Sequence, residues 1–382
     1  MACSPPHRER DTGQNLSECA KLWLLNAPSD PAAVEVLLLA LPESTATALH
    51  AFLEVFCAVG VAWAQLTGQP SQVRRMRVRI VARHARPFVS PVGPVISPHI
   101  ALAEATMPVD VVLVTDLALL FGLGDPSRWR PEANWLQERF AGGATVGSVC
   151  TGSLLLAAAG LLDGHEATTH WAAVDMMGTA FPSVCLRPDR MLCASGPEQR
   201  LVTSGGPGSW EDLALHLIAR FCGTEEAVRI ARLFVMGDRS RGQLPFSLLG
   251  RPRPHTDAVI TAAQEWIALN YTVKTPVAAM VAHSGIPERT FKRRFRRATG
   301  YTPVDYVQAV RIEEAKHLLE TTNTATDTIA FEVGYDDPSY FLRLFRRKTG
   351  ITPATYRRQF TRATGLPTTN ARSVLATNPV RM

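Results

Sequence analysis

The sequence predicts two domains of different class: a layered α/β domain with a mainly parallel sheet, then an all-α domain. Three observations carry that prediction. Largely apolar runs at Val34–Leu41 and Val109–Val114, interrupted only by Glu35 and Asp110, are separated by segments of helical period, the pattern of buried strands. The stretch Thr145–Gly164 passes from a short β-rich run through Cys150 directly into a helical pattern. The C-terminal third repeats itself: Arg-Phe-Arg-Arg-Ala-Thr-Gly-Tyr-Thr-Pro at 294–303 returns as Leu-Phe-Arg-Arg-Lys-Thr-Gly-Ile-Thr-Pro at 344–353, fifty residues on.

Residues 1–20 are charged, contain proline and show no periodicity, so they are expected to be disordered. Leu22–Leu25 opens the α/β domain, expected over residues 21–238, and Val34–Leu41 is its first buried strand. Ala46–Leu66 keeps a helical period through Leu49, Leu53, Phe56 and Cys57 and is expected as one helix. Arg74–Ala82 alternates, with Val73, Met76, Val78 and Ile80 against Arg75, Arg77 and Arg79, and reads as a strand. Val109–Val114 is a further strand and Glu132–Phe140 a helix. Residues 239–256, rich in proline and arginine, read as a linker. Asp257–Tyr271 is amphipathic, with Asp257 or Thr256 as its N-cap, and opens a helical domain expected over 257–360. Residues 361–382 are polar without period and are expected as a flexible tail.

Within the helical domain each copy of the repeat has the same architecture. A short apolar segment (Val277–His283, then Thr328–Val333) leads to a glycine, Gly285 or Gly334, and then to a second helix. Helix, tight turn and helix is the helix-turn-helix pattern. Phe291, Phe295 and Ala298 form a core stripe on the second helix of the first copy, and Phe341 and Phe345 do so in the second. Arg289, Arg293 and Arg296 lie opposite the first stripe with Arg297 beside them; Ser339, Arg343 and Arg346 lie opposite the second with Arg347 beside them. Guanidinium groups bond guanine bidentately and neutralise phosphates, so these faces suit a DNA major groove. Thr290, Lys292 and Tyr340 complete the candidate DNA-binding set. A single such face is more often a solvated surface, but two cationic copies at fixed spacing favour double-stranded DNA as the partner.

The segment 257–360 resembles the DNA-binding domain of AraC/XylS-type transcription regulators. The matching residues are Arg-Thr-Phe-Lys-Arg-Arg-Phe at 289–295 and Ile-Ala-Phe-Glu-Val-Gly-Tyr-Asp-Asp-Pro-Ser-Tyr-Phe-Leu-Arg-Leu-Phe at 329–345. The resemblance implies two helix-turn-helix units joined by one long helix, here Val304–Glu320, with base-reading side chains at Arg293 and Arg343.

At Cys150 the strand-to-helix passage has the shape of a nucleophile elbow, with Gly147 and Gly152 permitting the tight backbone. A cysteine at a helix N-terminus is expected to be accessible and unusually acidic, and His170 of Thr168-Thr169-His170-Trp171 is a candidate partner. Together with Leu201–Ile218, this stretch resembles the type-1 glutamine-amidotransferase-like (PfpI-like) superfamily and, more narrowly, the GlxA-type regulators that join such a domain to an AraC-type one. The resemblance rests on Cys-Thr-Gly-Ser at 150–153, Ala-Gly-Leu-Leu-Asp-Gly at 159–164, Thr-Thr-His-Trp at 168–171 and Asp-Leu-Ala-Leu-His-Leu at 212–217, and it covers about 34–242. Enzymes of that superfamily set an acid beside the cysteine, but Ser-Thr-Ala-Thr-Ala-Leu at 44–49 has none beyond Glu43 at its edge. Thr115-Asp116-Leu117 stands where a glycine pair would hold an oxyanion, and Asp116 would repel the developing charge. An effector pocket built from Cys150, Thr151, His170 and Asp116 is therefore favoured over a cysteine-dependent hydrolase or hydratase of the isonitrile-hydratase or amidase kind. The expected effector is a small molecule, with nitrogen-containing metabolites as first candidates.

Charge is unevenly placed. Residues 250–360 carry 17 Lys/Arg against 11 Asp/Glu, whereas residues 1–249 carry 20 against 23, so the positive charge sits where a polyanion would bind. The seven cysteines include no CxxC pair, which suggests neither a zinc ribbon nor a disulfide framework; no metal or cofactor is expected. Met1–Leu16 lacks an apolar signal core and no apolar run reaches 18 residues, so no membrane span and a cytoplasmic location are expected, with a homodimer as the expected assembly.

Overall fold

A computed structural model describes residues 33–68, 72–119, 122–237, 242–249 and 255–364. The expected disordered N-terminus, Leu22–Leu25, residue 238, residues 239–241 and 250–254 of the expected linker, and residues 365–382 of the expected tail lie outside them. The chain divides into two units, Met1–Gln243 and Leu244–Met382.

In the first unit the main strands are β1 (Val34–Leu39) and β2 (Met76–Ala82), then, after the short hairpin β3 (Phe88–Val89) and β4 (Val95–Ile96), β5 (Ile100–Ala101), β6 (Val111–Val114) and β7 (Thr145–Val149). A small parallel pair, β8 (Glu166–Ala167) and β9 (Cys185–Leu186), precedes β10 (Leu192–Ser195) and β11 (Leu201–Ser204). The sheet runs β10-β11-β7-β6-β1-β2-β5, and every neighbouring pair is parallel except β10 and β11. Helices α1 (Ala46–Ala58), α2 (Ala62–Thr67), α3 (Arg130–Ala141), α4 (Ser153–Ala158), α5 (Val174–Ala180), α6 (Trp210–Cys222) and α7 (Thr224–Leu233) complete the unit.

Because side chains alternate along a strand, β1 feeds two cores at once. Val34, Val36 and Leu38 pack with α1 and α6, while Leu37 and Leu39 pack with α3 and α4 on the opposite face. That double burial is why the strand is apolar from Val36 onwards; Glu35, near its start, is only partly buried and pairs with Arg77 and Arg79. The chain leaves β1 through α1 to β2 on one side, and leaves β6 through α3 to β7 on the other, so the winding reverses between β1 and β6. One expected element differs. Ala46–Leu66 is two helices, α1 and α2, because Gly60 turns left-handed (φ 69°) and gives its N–H to buried Glu226 of α7 at 2.8 Å. The hydrophobic period runs through the break and does not reveal it.

The second unit consists of α8 (Ala258–Asn270), α9 (Pro276–Ser284), α10 (Glu288–Thr299), α11 (Pro303–Thr321), α12 (Thr326–Glu332), α13 (Pro338–Thr349) and α14 (Pro353–Thr364). Asp257 caps α8, its Oδ1 accepting from the Ile260 N–H at 3.2 Å. Two cores hold the unit: Phe291 and Phe295 pack with Ile260, Ile267 and Tyr306, and Phe341 and Phe345 pack with Ile312, Leu319 and Tyr356. The repeated Thr-Gly-x-Thr-Pro is a helix stop followed by a helix start. Thr299 and Thr349 donate back to the carbonyls of Phe295 and Phe345 at 2.8 Å, while Gly300 and Gly350 close the helices in the left-handed region. Thr302 and Thr352 then accept from the N–H groups of Asp305 and Thr355 at 3.2 and 3.3 Å. The joining helix α11 exceeds the expected Val304–Glu320 by one residue at each end, and α14 continues to Thr364, past the expected boundary at 360.

Residues 242–249 fall within the expected linker, and the described ones are anchored in their own units. Gln243 is buried and its amide donates to Thr168 Oγ1 and the Thr169 carbonyl at 3.0 and 2.8 Å. Leu249 gives its N–H to Glu313 at 2.8 Å, and Lys316 donates to the Ser247 carbonyl at 2.6 Å.

Candidate nucleic-acid interface and elbow site

Helices α10 and α13 owe their orientation to their phenylalanines. Phe291 and Phe295 stand 5.6 Å apart in one core, Phe341 and Phe345 5.8 Å apart in the other, and all four are fully buried. Helical geometry then leaves Arg289, Arg293, Arg296 and Arg297 exposed on α10, and Ser339, Tyr340, Arg343, Arg346 and Arg347 exposed on α13. Thr290 is half-buried. Lys292 is exposed but shares its charge with Glu288 at 2.6 Å, an i,i+4 pair. Arg343 lies 3.9 Å from Asp337, the N-cap of α13, and Tyr340 accepts from Gln308 at 3.2 Å. Among the described residues the remaining arginines of both faces make no ion pair, so their charge is available to a polyanion. Arg294, one residue from Arg293, is not: it is half-buried and bonded to Asp257 at 2.5 Å.

Within the helical unit, one further residue ties the two helix-turn-helix motifs together. Arg311 of α11 is buried and donates to the carbonyls of Tyr271 and Val273 at 2.7 and 2.9 Å, with its guanidinium 5.0 Å from the ring of Tyr335. It thus joins the end of α8, the connecting helix and the turn of the second helix-turn-helix. An arginine among the buried-face positions of a long helix was the available signal.

In the α/β unit the elbow is formed. Cys150 directly follows β7 with φ 57°, a left-handed conformation strained for a non-glycine residue, and residues 150–152 make a 3-10 turn into α4. Gly152 is required by close approach, since a Cβ there would stand 2.5 Å from the Thr115 carbonyl. The expected acidic, accessible thiol is corrected by the structure. Cys150 is only 5% exposed, and burial, reinforced by the charge of Asp116, pushes its thiol up to about 12 from 9.0; contacts with Thr151 offset this in part. The exposed helix amides that would stabilise a thiolate are outweighed by desolvation.

The neighbours of Cys150 are largely committed elsewhere. Thr151 Oγ1 accepts from the Leu117 N–H at 2.8 Å and donates to the Leu117 carbonyl at 2.7 Å. His170 caps a short turn, its Nδ1 accepting from the Ala172 N–H at 3.1 Å, and packs on Trp171; burial lowers its pKa. Among the described residues it makes no hydrogen bond to Cys150. Asp116 accepts a short hydrogen bond from Thr45 through Oδ2, and its buried Oδ1 has no partner among the described residues. The segment bonded to Thr151 is itself tied to the loop after β1: Thr45 N–H bonds the Asp116 carbonyl at 3.1 Å and Ala118 N–H the Glu43 carbonyl at 2.8 Å, making the bridge of Ser44 with Leu117. That bridge joins the segments that follow β1 and β6.

Comparison with known proteins matches residues 280–359 to a Helix-turn-helix domain and residues 74–220 to the DJ-1/PfpI family. Curated relatives include the HTH-type transcriptional regulators CdhR and GbdR of Pseudomonas aeruginosa and GlxA of Rhizobium meliloti. The first is 30% identical over 58% of this chain and 65% of its own length, the second 28% over 59% and 60%. GlxA is 26% identical over 62% of this chain and 73% of its own length. The chain thus spans less than two thirds of the first two relatives. No described helix is long and apolar enough to cross a membrane.

Proposed function

A chain that joins a DJ-1/PfpI domain to an AraC-type helix-turn-helix domain is, we propose, a sequence-specific DNA-binding transcription regulator acting in the cytoplasm. One observation carries the reading: two helices, α10 and α13, each buried by a pair of phenylalanines, each present an arginine face with little internal ion pairing. Both would enter successive major-groove segments on one side of the duplex, about one helical turn apart. Arg293 and Arg343 read bases, and the flanking arginines hold phosphates. The names of the curated relatives agree with this assignment.

The α/β domain is assigned to sensing a small molecule and to pairing two copies, and not to catalysis. A buried thiol held protonated beside a carboxylate, with no histidine bonded to it, lacks what cysteine-dependent hydrolysis needs. The test is retention of promoter fragments by the purified full chain over a salt series. Binding to particular fragments that weakens steeply with salt is the expected result; equal retention of random duplex at every salt concentration rejects the assignment.

A further inference from the structure

The α/β unit is open away from the elbow. A cavity of about 470 Å³ lies at the carboxyl ends of β1 and β2, beside the reversal of winding between β1 and β6, where open α/β sheets take their ligands. Its apolar surface includes Leu41, Ala82, Phe88 and Trp129, and its polar groups include Glu43, Arg83, Arg86, Arg128 and Glu132. Cys150 is not among the residues that line it.

The charges in this cavity are ordered and unequal. Glu132 is 2% exposed, and Arg83 engages both its oxygens, Nε to Oε1 at 2.9 Å and Nη2 to Oε2 at 2.7 Å. Arg128 lies over the Trp129 ring at 4.1 Å and bonds Glu43 through Nε at 2.9 Å, while its Nη1 donates to the carbonyls of Leu123 and Asp125. Both guanidiniums are therefore held in place, yet Nη1 of Arg83 and Nη2 of Arg128 have no protein partner among the described residues. Arg86 is exposed and makes no ion pair among them. Two carboxylates against three guanidiniums leave one positive charge uncompensated beside an apolar surface.

We propose that this cavity binds an organic carboxylate with an apolar or aromatic body, its charge met by Arg86 and the unused edges of Arg83 and Arg128. The carboxylate matches the fork of a guanidinium, and the two arginines already fixed by Glu132 and Glu43 lose little freedom on binding. A cationic ligand is disfavoured because both oxygens of Glu132 and one of Glu43 are already engaged. This assignment rests on the effector reading and gives it a location and a ligand class. Glu43 also provides the link to the elbow, since its carbonyl belongs to the bridge that includes Leu117, the partner of Thr151, while its carboxylate holds Arg128.

The test is calorimetric binding of phenylacetate, 3-phenylpropionate and indole-3-acetate to the full chain, each beside its own primary amide. At least one acid should bind, its amide should not, and Arg86→Glu, which changes an exposed unpaired side chain, should weaken binding by about tenfold or more. No binding by any acid, or equal binding of acid and amide, overturns the proposal. Loss of binding in Cys150→Ser with full binding in Arg86→Glu would place the ligand at the elbow and overturn it too. Operator retention read alongside separates the two claims: an acid bound at the cavity without any change in retention upholds the site and rejects the effector reading.

Discussion

A β-carbon placed on Gly334 would stand 2.9 Å from Nη2 of Arg311 and 2.9 Å from the Cα of Thr272. The turn of the second helix-turn-helix is thus packed against the arginine that spans the domain, with φ at 88°. Real Cβ atoms do not tolerate such distances, and the Thr272 contact is backbone, which cannot swing aside. Gly334→Val should abolish operator binding while the α/β unit keeps its own melting transition. Wild-type DNA retention by that variant would remove the turn assignment.

Arg311 itself should resist conservative replacement. Its two carbonyl acceptors, at Tyr271 and Val273, lie on one segment that a fork can reach at once and an ammonium cannot. Arg311→Leu should destabilise the helical unit by about 2–4 kcal/mol, from stranded buried carbonyls and lost packing. Arg311→Lys should recover only part of this. Denaturant unfolding of the full chain measures both; full rescue by lysine would reduce the role of Arg311 to its charge.

Neighbouring arginines on α10 should separate cleanly. Arg293→Ala should cost about 1–3 kcal/mol of operator affinity and relax specificity at one base position, and Arg343→Ala should do the same at another. Arg294→Ala should instead loosen the tie to Asp257, with specificity unchanged. Affinities on the operator and on single-base variants decide the matter: equal losses on every sequence would restrict Arg293 and Arg343 to phosphate.

Cys150 should alkylate slowly. With its thiol pushed up to about 12, little thiolate exists near neutral pH, and the side chain is buried. Mass spectrometry of the folded protein should find Cys150 modified at least about tenfold more slowly than exposed Cys185, and still gaining rate beyond about pH 10. Fast alkylation of Cys150 at neutral pH would restore the acidic thiol that the elbow suggests from sequence.

The helical domain was the more legible half, and for a physical reason. Its information is local and repeated: a phenylalanine stripe at helical period, the arginines that period turns outwards, and a Thr-Gly-x-Thr-Pro stop and start whose hydrogen bonds close within a few residues. The buried strand Val34–Leu39, inside the expected run Val34–Leu41, was readable because both faces of β1 meet core, and the turn at Cys150 because strand and helix patterns abut there. What the chain did not disclose depends on partners far apart in sequence. Gly60 breaks a helix because Glu226 lies opposite it. The Cys150 thiol is held neutral because it is buried and Asp116, from another segment, stands beside it. The paired arginines of the β1–β2 cavity acquire their fixed positions only when Glu43 and Glu132 are brought across from other segments. Periodicity reports which side of an element is buried; what each buried group then meets was decided by the tertiary structure.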